Sequence, residues 1–142
     1  MVEKFIGTWL YNHELADNNE EVFLQNLDMS GDLRQKLIES KPRIIFSVSG
    51  DYFTSRMETG DGQILNENKF KLGQECDITL PGGRKAKGMY SITDGKLCAE
   101  LKAEDLNVTT KYSSEVNGDK MTTKFEIPET GMTTIYNYTK MQ

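Results

Sequence analysis

Histidine occurs once, at His13, and cysteine twice, at Cys76 and Cys98, in a chain of 142 residues. One histidine and two separated cysteines do not make a metal-ligand set, and no Ser-His-Asp or Cys-His pairing can be built around His13. The sequence therefore offers no catalytic residue, no metal site and no call for a cofactor. Two cysteines allow a single bridge and show no redox spacing, so both read as reduced packing residues. Nowhere do about 18 apolar residues run together, which leaves no candidate for a membrane-crossing helix. Lys and Arg number 17 against 22 Asp and Glu, a net charge of -5, so there is no basic field to attract nucleic acid. The opening "MVEKFIGTW" lacks a charged leader, an apolar run and a small-residue cleavage site, which predicts a cytosolic address. In that compartment the Asn-x-Thr patterns at Asn107 and Asn137 read as chance matches.

What the chain does contain is regular punctuation. Its length fits one domain spanning 1–142, large enough to hold a real core. Turn-forming clusters recur about every ten residues, around Gly50, Gly62, Gly73, Pro81, Gly95, Gly118 and Gly131. Asn117-Gly118 is the strongest of them, because both central residues of a type I′ hairpin turn need positive φ. Between the turns, apolar and polar residues alternate as half-buried strands require. Ile44, Phe46 and Val48 share one face against Arg43 and Ser47; Ala86, Gly88, Tyr90 and Ile92 oppose Lys85 and Lys87; Leu97, Ala99 and Leu101 oppose Lys96, Glu100 and Lys102. Val108, Tyr112 and Val116, then Met121, Phe125 and Ile127, then Thr134, Tyr136 and Tyr138 continue the inner faces.

Only residues 17–40 break this rhythm. There Phe23 with Leu27 and Leu33 with Leu37 fall at helical intervals, which predicts two short helices capped by Asp17 and Ser30 and closed by Pro42. The acidic run Asp17 to Glu21 reads as a solvated helix start. The expected architecture is one strand, a helix pair and about nine further strands in meander order, curled or closed to remove exposed edges. A barrel of ten strands is wide enough to leave internal space. The inner faces agree with that, since they mix Ala86, Gly88, Ala99, Ser114, Thr110, Thr123 and Thr134 with the apolar residues a dry core would favour throughout. A barrel plugged by its own aromatics is the competing reading.

Four stretches resemble a known family. "FIGTW" at the start is similar to the Phe-x-Gly-x-Trp of the intracellular lipid-binding proteins, which include the fatty acid-binding and cellular retinoid-binding proteins. "LRQKLIESKP", "KFKLGQECD" and "TTIYNYTKM" resemble that family's second helix, its Phe-Lys-Leu-Gly-x-x-Phe-Asp segment and its last strand. The resemblance implies an all-β, ten-stranded antiparallel clam-shaped barrel with a helix-turn-helix lid at about 17–40, and a cavity for one or two hydrophobic ligands. Trp9 would plug the closed end and Gly7 would allow close packing there. The implied function is that of a monomeric carrier for long-chain fatty acids, with possible transient membrane contact. Retinoid- or sterol-type ligands are the main alternative; a small barrel enzyme or an interaction module with a vestigial cavity is a further one.

Many members of that family hold a ligand carboxylate with an Arg on the eighth strand and an Arg-x-Tyr on the tenth, an arrangement of charge-assisted bonds. Here Ser114 stands at the first position and Tyr136 at the second, while Tyr138 keeps its type. Head-group contacts through hydroxyls or water are therefore expected, weaker for free carboxylates than two arginines would give. The expected ligand-binding residues are Tyr136, Tyr138, Ser114, Tyr112, Phe53, Met57 and Thr134. Leu33, Arg34 and Leu37 on the lid, with Met57 and Arg84 near the facing turns, form the expected portal, although both leucines would also serve simply to pack a helix on the barrel.

Overall fold

The computed structural model describes residues 3–12, 32, 42–79, 85–103 and 108–141. A short 3-10 turn at Glu3–Phe5 precedes ten strands: β1 (Gly7–Tyr11), β2 (Arg43–Ser49), β3 (Tyr52–Glu58), β4 (Ile64–Lys71), β5 (Glu75–Thr79), β6 (Lys85–Thr93), β7 (Lys96–Ala103), β8 (Val108–Asn117), β9 (Lys120–Ile127) and β10 (Met132–Lys140). They form one sheet in the order β4-β3-β2-β1-β10-β9-β8-β7-β6-β5. Chain neighbours are space neighbours, and the sheet curls back because β10 pairs antiparallel with β1, Trp9 opposite Lys140 and Tyr11 opposite Tyr138. This is the ten-stranded antiparallel barrel expected from the alternating pattern and the turn spacing.

The barrel's seam lies between β4 and β5, the two ends of the sheet order. There a side chain replaces a rung of the ladder. The Asn68 amide donates to the Thr79 carbonyl at 2.9 Å and accepts from the Thr79 N–H at 2.7 Å. Next to it Phe70 of β4 stacks on Tyr90 of β6, ring centroids 3.8 Å apart, and Gly73 N–H donates to the Tyr90 carbonyl.

One end is closed by the first strand. Phe5 and Trp9 have no accessible surface, and the indole N–H donates to the Phe5 carbonyl at 2.9 Å, so the only tryptophan is both packed and satisfied. Lys140 lies over the Trp9 ring, its stem so near Gly7 that a Cβ there would meet Lys140 Cε at 2.9 Å. Gly7 thus permits the close approach expected of it. The other end carries the β3–β4 turn at 59–63, where Thr59 holds the Asp61 carboxylate through its hydroxyl and accepts from the Gln63 N–H. On the outer face beside that turn, Arg43, Glu58, Arg56 and Glu67 form a continuous charge ladder across β2, β3 and β4.

Two expectations change. Val48 shares the parity of Ile44 and Phe46 but is 40% exposed, at the end of β2 beside the Gly50 turn. The β8–β9 hairpin pairs Asn117 with Lys120, so its central residues are Gly118 and Asp119, and only Gly118 has positive φ, the pattern of a type II′ turn. The two successive positive φ values of a type I′ turn occur instead at Asp94 and Gly95, between β6 and β7. Cys76 and Cys98 are free thiols, as read from their spacing. The expected helix pair, its caps Asp17 and Ser30, and the portal residues Leu33, Arg34, Leu37 and Arg84 lie outside the described residues.

Candidate functional site

Pairing register aligns the inner faces in rows. Leu97, Ser114, Thr123 and Tyr136 follow one another across β7, β8, β9 and β10; Tyr90, Ala99, Tyr112, Phe125 and Thr134 make the next row across β6 to β10. Ala99 is small enough for Tyr90 and Tyr112 to meet over it edge to face, with centroids 5.9 Å apart. From there an aromatic belt continues through Phe125 to Tyr136, and on to Tyr11 and Tyr138. On the far wall Phe46 meets Phe53 at a tilt, Phe53 stacks on Phe70, and Phe70 joins the belt by stacking on Tyr90.

Several belt members combine inward placement with accessible surface. Tyr112, Phe125 and Tyr136 on β8–β10 and Met57 on β3 are only partly buried, although their row neighbours Ser114, Thr123 and Thr134 have essentially no exposure. Burial pushes the Tyr112 hydroxyl up to about 12, although the residue as a whole is only half-buried. Tyr90 is shifted upward for the same reason, burial first and its neighbour Tyr112 second.

The polar centre of this wall is a relay of hydroxyls. Ser114 donates to the Tyr112 oxygen at 2.7 Å, and Ser114 and Thr123 oxygens lie 2.7 Å apart. A serine hydroxyl carries a single proton, so Thr123 donates to Ser114 and the phenolic proton of Tyr112 is left to point elsewhere. The relay is therefore a neutral hydrogen-bond donor aimed from the β8 wall. Parity places no charged side chain on the inner faces of the described strands, except Lys140 at the closed end against Trp9.

The sheet gathers five of the expected ligand-binding residues on two strands that flank β9: Tyr112 and Ser114 on β8, with Thr134, Tyr136 and Tyr138 on β10. Phe53 and Met57 sit across the barrel on β3, Phe53 enclosed between Phe46 and Phe70 and Met57 accessible opposite Asn66. Thr123, Tyr11 and the seam residues Asn66 and Asn68 were not singled out for the site. The parity of "NENKF" with Phe70 was the available signal for the two asparagines.

Residues 5–137 match the model of the Lipocalin / cytosolic fatty-acid binding protein family. The chain belongs to that family. Among curated members, it is 32% identical over 121 residues to the liver fatty acid-binding protein of Schroederichthys bivius, covering 84% of this chain and 86% of the relative. Fatty acid-binding protein homolog 6 of Caenorhabditis elegans is 29% identical, with 89% of this chain and 90% of the relative covered. Among solved structures, the Schistosoma mansoni fatty acid binding protein in complex with arachidonic acid superimposes with a TM-score of 0.85 at 26% identity, covering 99% and 98% of the two chains. Membership explains the opening Phe-x-Gly-x-Trp and the curled ten-stranded sheet together. No described helix is long and apolar enough to cross a membrane.

Proposed function

We propose that the protein is a carrier that encloses a long-chain fatty acid or similar hydrophobic lipid inside the barrel and releases it unchanged. The observation that carries this reading is the accessible surface of Tyr112, Phe125, Tyr136 and Met57 on the inner side of the sheet, beside a hydroxyl relay with a proton to give. Each methylene moved from water to such a wall contributes about 0.8 kcal/mol, so an acyl chain supplies most of the affinity and the Tyr112 hydroxyl orients the head group. The relatives' names point the same way, and one relative is named in complex with arachidonic acid. The inner face bears hydroxyls and amides suited to holding a guest rather than reacting with it. A cytosolic, monomeric protein with brief membrane contact during transfer, and a portal formed by Leu33, Arg34, Leu37 and Arg84, complete the proposal.

The scarcity of charge on the inner face of the described strands, with Lys140 alone at the closed end, favours a second reading of the ligand, as a neutral retinoid- or sterol-type molecule. A carboxylate placed there loses water without gaining a fixed cation, whereas a hydroxyl or carbonyl loses little. Competition against a fluorescent fatty acid separates the readings. Oleate is expected to displace the probe stoichiometrically and to be recovered chemically unchanged, with affinity rising as the pH is lowered and the acid becomes neutral; oleyl alcohol should show no such slope. Conversion of the lipid, or no displacement by either, would count against a carrier.

A further inference from the structure

A second polar station lies on the opposite wall. In β4, Asn66, Asn68 and Phe70 share the inner face, and Asn66 pairs in register with Met57, Asn68 with Ser55 and Phe70 with Phe53. The two asparagines are chemically identical but differently employed. Both functions of the Asn68 amide are taken by the Thr79 backbone across the seam. The Asn66 Oδ1 is buried and has no hydrogen-bond partner among the described residues. An apolar side chain would fill that position at no such cost, so an unsatisfied amide there is a feature to be explained by what it meets when the barrel is occupied.

We infer that Asn66 is a binding residue for a hydroxyl group carried along the ligand's chain, so that the barrel takes an acyl lipid oxygenated far from its head group. The proposal rests on the carrier reading. Asn66 retains some accessible surface while its Oδ1 has none, and a side-chain amide turns freely about its last torsion, exchanging its oxygen and nitrogen edges. Turned toward the interior, the oxygen accepts from a hydroxyl and the orphaned acceptor is satisfied. Partly exposed Met57 beside it leaves apolar surface for the methylenes on either side. The topology keeps the two stations apart. Asn66 lies toward the barrel end with the 59–63 turn, whereas the Tyr112–Ser114–Thr123 relay lies on β8–β9 toward the Gly118 turn at the other end. A head group at the relay thus puts the distal part of the chain, not its first carbons, beside Asn66.

The test compares stearate, 2-hydroxystearate and 12-hydroxystearate as competitors of a bound fluorescent fatty acid, in the wild-type protein and in Asn66→Leu. The ratio of 12-hydroxystearate to stearate affinity should fall about tenfold in Asn66→Leu, the usual worth of one buried hydrogen bond. Stearate and 2-hydroxystearate should be affected equally by the substitution. Asn66→Ser, which replaces the amide by a shorter hydroxyl still able to accept, should give an intermediate ratio and guards against a packing defect in the leucine variant. An unchanged 12-hydroxystearate to stearate ratio, or a loss confined to 2-hydroxystearate, overturns the inference while leaving the carrier reading intact. Failure of all three lipids to displace the probe from wild-type protein would overturn both.

Discussion

Tyr112 joins the chemistry of the wall to the stability of the molecule. In an unfolded chain its hydroxyl ionises near the ordinary value of 10; burial in the folded protein pushes it up to about 12, partly offset by the hydrogen bond donated from Ser114. Between those values the folded state keeps a proton that the unfolded state has lost. The stabilising contribution is therefore complete below pH 10 and disappears as the pH rises toward 12. The urea midpoint is expected to fall across that interval and to fall less in Tyr112→Phe; equal slopes in the two proteins would show that another group governs alkaline unfolding. The same substitution removes the free phenolic proton and should weaken oleate binding about five- to tenfold, read by probe displacement, with about 1 kcal/mol of stability lost at neutral pH because Ser114 loses its acceptor. The inner-face placement of Ser114 and Tyr136 was readable from the sequence by alternation. The direction of the relay was not, because it depends on which of three hydroxyl protons is already committed.

Strands and turns set how far the sequence could be read. Alternation located the inner faces of β6 to β10 well, since charged residues mark three of the four outer positions of β7, Lys96, Glu100 and Lys102, with Cys98 at the fourth. It failed for Val48, at the exposed end of β2, and turn chemistry misplaced the type I′ hairpin because loop length fixes which residues become central. In the β8–β9 hairpin Asn117 belongs to the ladder, and Gly118 alone takes positive φ. The seam between β4 and β5 was equally hidden, as no local pattern says that an asparagine side chain will take the place of a backbone rung. Replacing it makes a clear test. Asn68→Ala should cost about 1–3 kcal/mol through the two Thr79 backbone groups it strands, and the Thr79 amide should exchange hydrogen faster than the amides of β8. Uniform protection in the variant would mean that the seam is held by the Phe70–Tyr90 stack instead.

For the whole molecule, the question is whether the interior receives a guest or merely packs itself. The aromatic belt gives some support to the plugged-barrel alternative, for Phe46, Phe53 and Phe70 are fully enclosed. Elsewhere on the inner face Tyr112, Phe125, Tyr136 and Met57 are only partly buried, and that contrast favours an interior left partly open. Composition revealed the polar admixture of the inner faces, but not which residues would be sealed and which left open, because that depends on contacts across the barrel between strands distant in sequence. Methionine methyl groups report on the difference directly. Met57 is partly accessible on the inner face, Met121 is sealed, and Met89 is 48% exposed on the outside. In protein labelled with 13C at the methionine methyls, one equivalent of oleate should shift the Met57 resonance in a saturable manner and leave Met89 where it was. A shift at Met89 with Met57 unmoved would place the lipid on the outer surface and contradict the account.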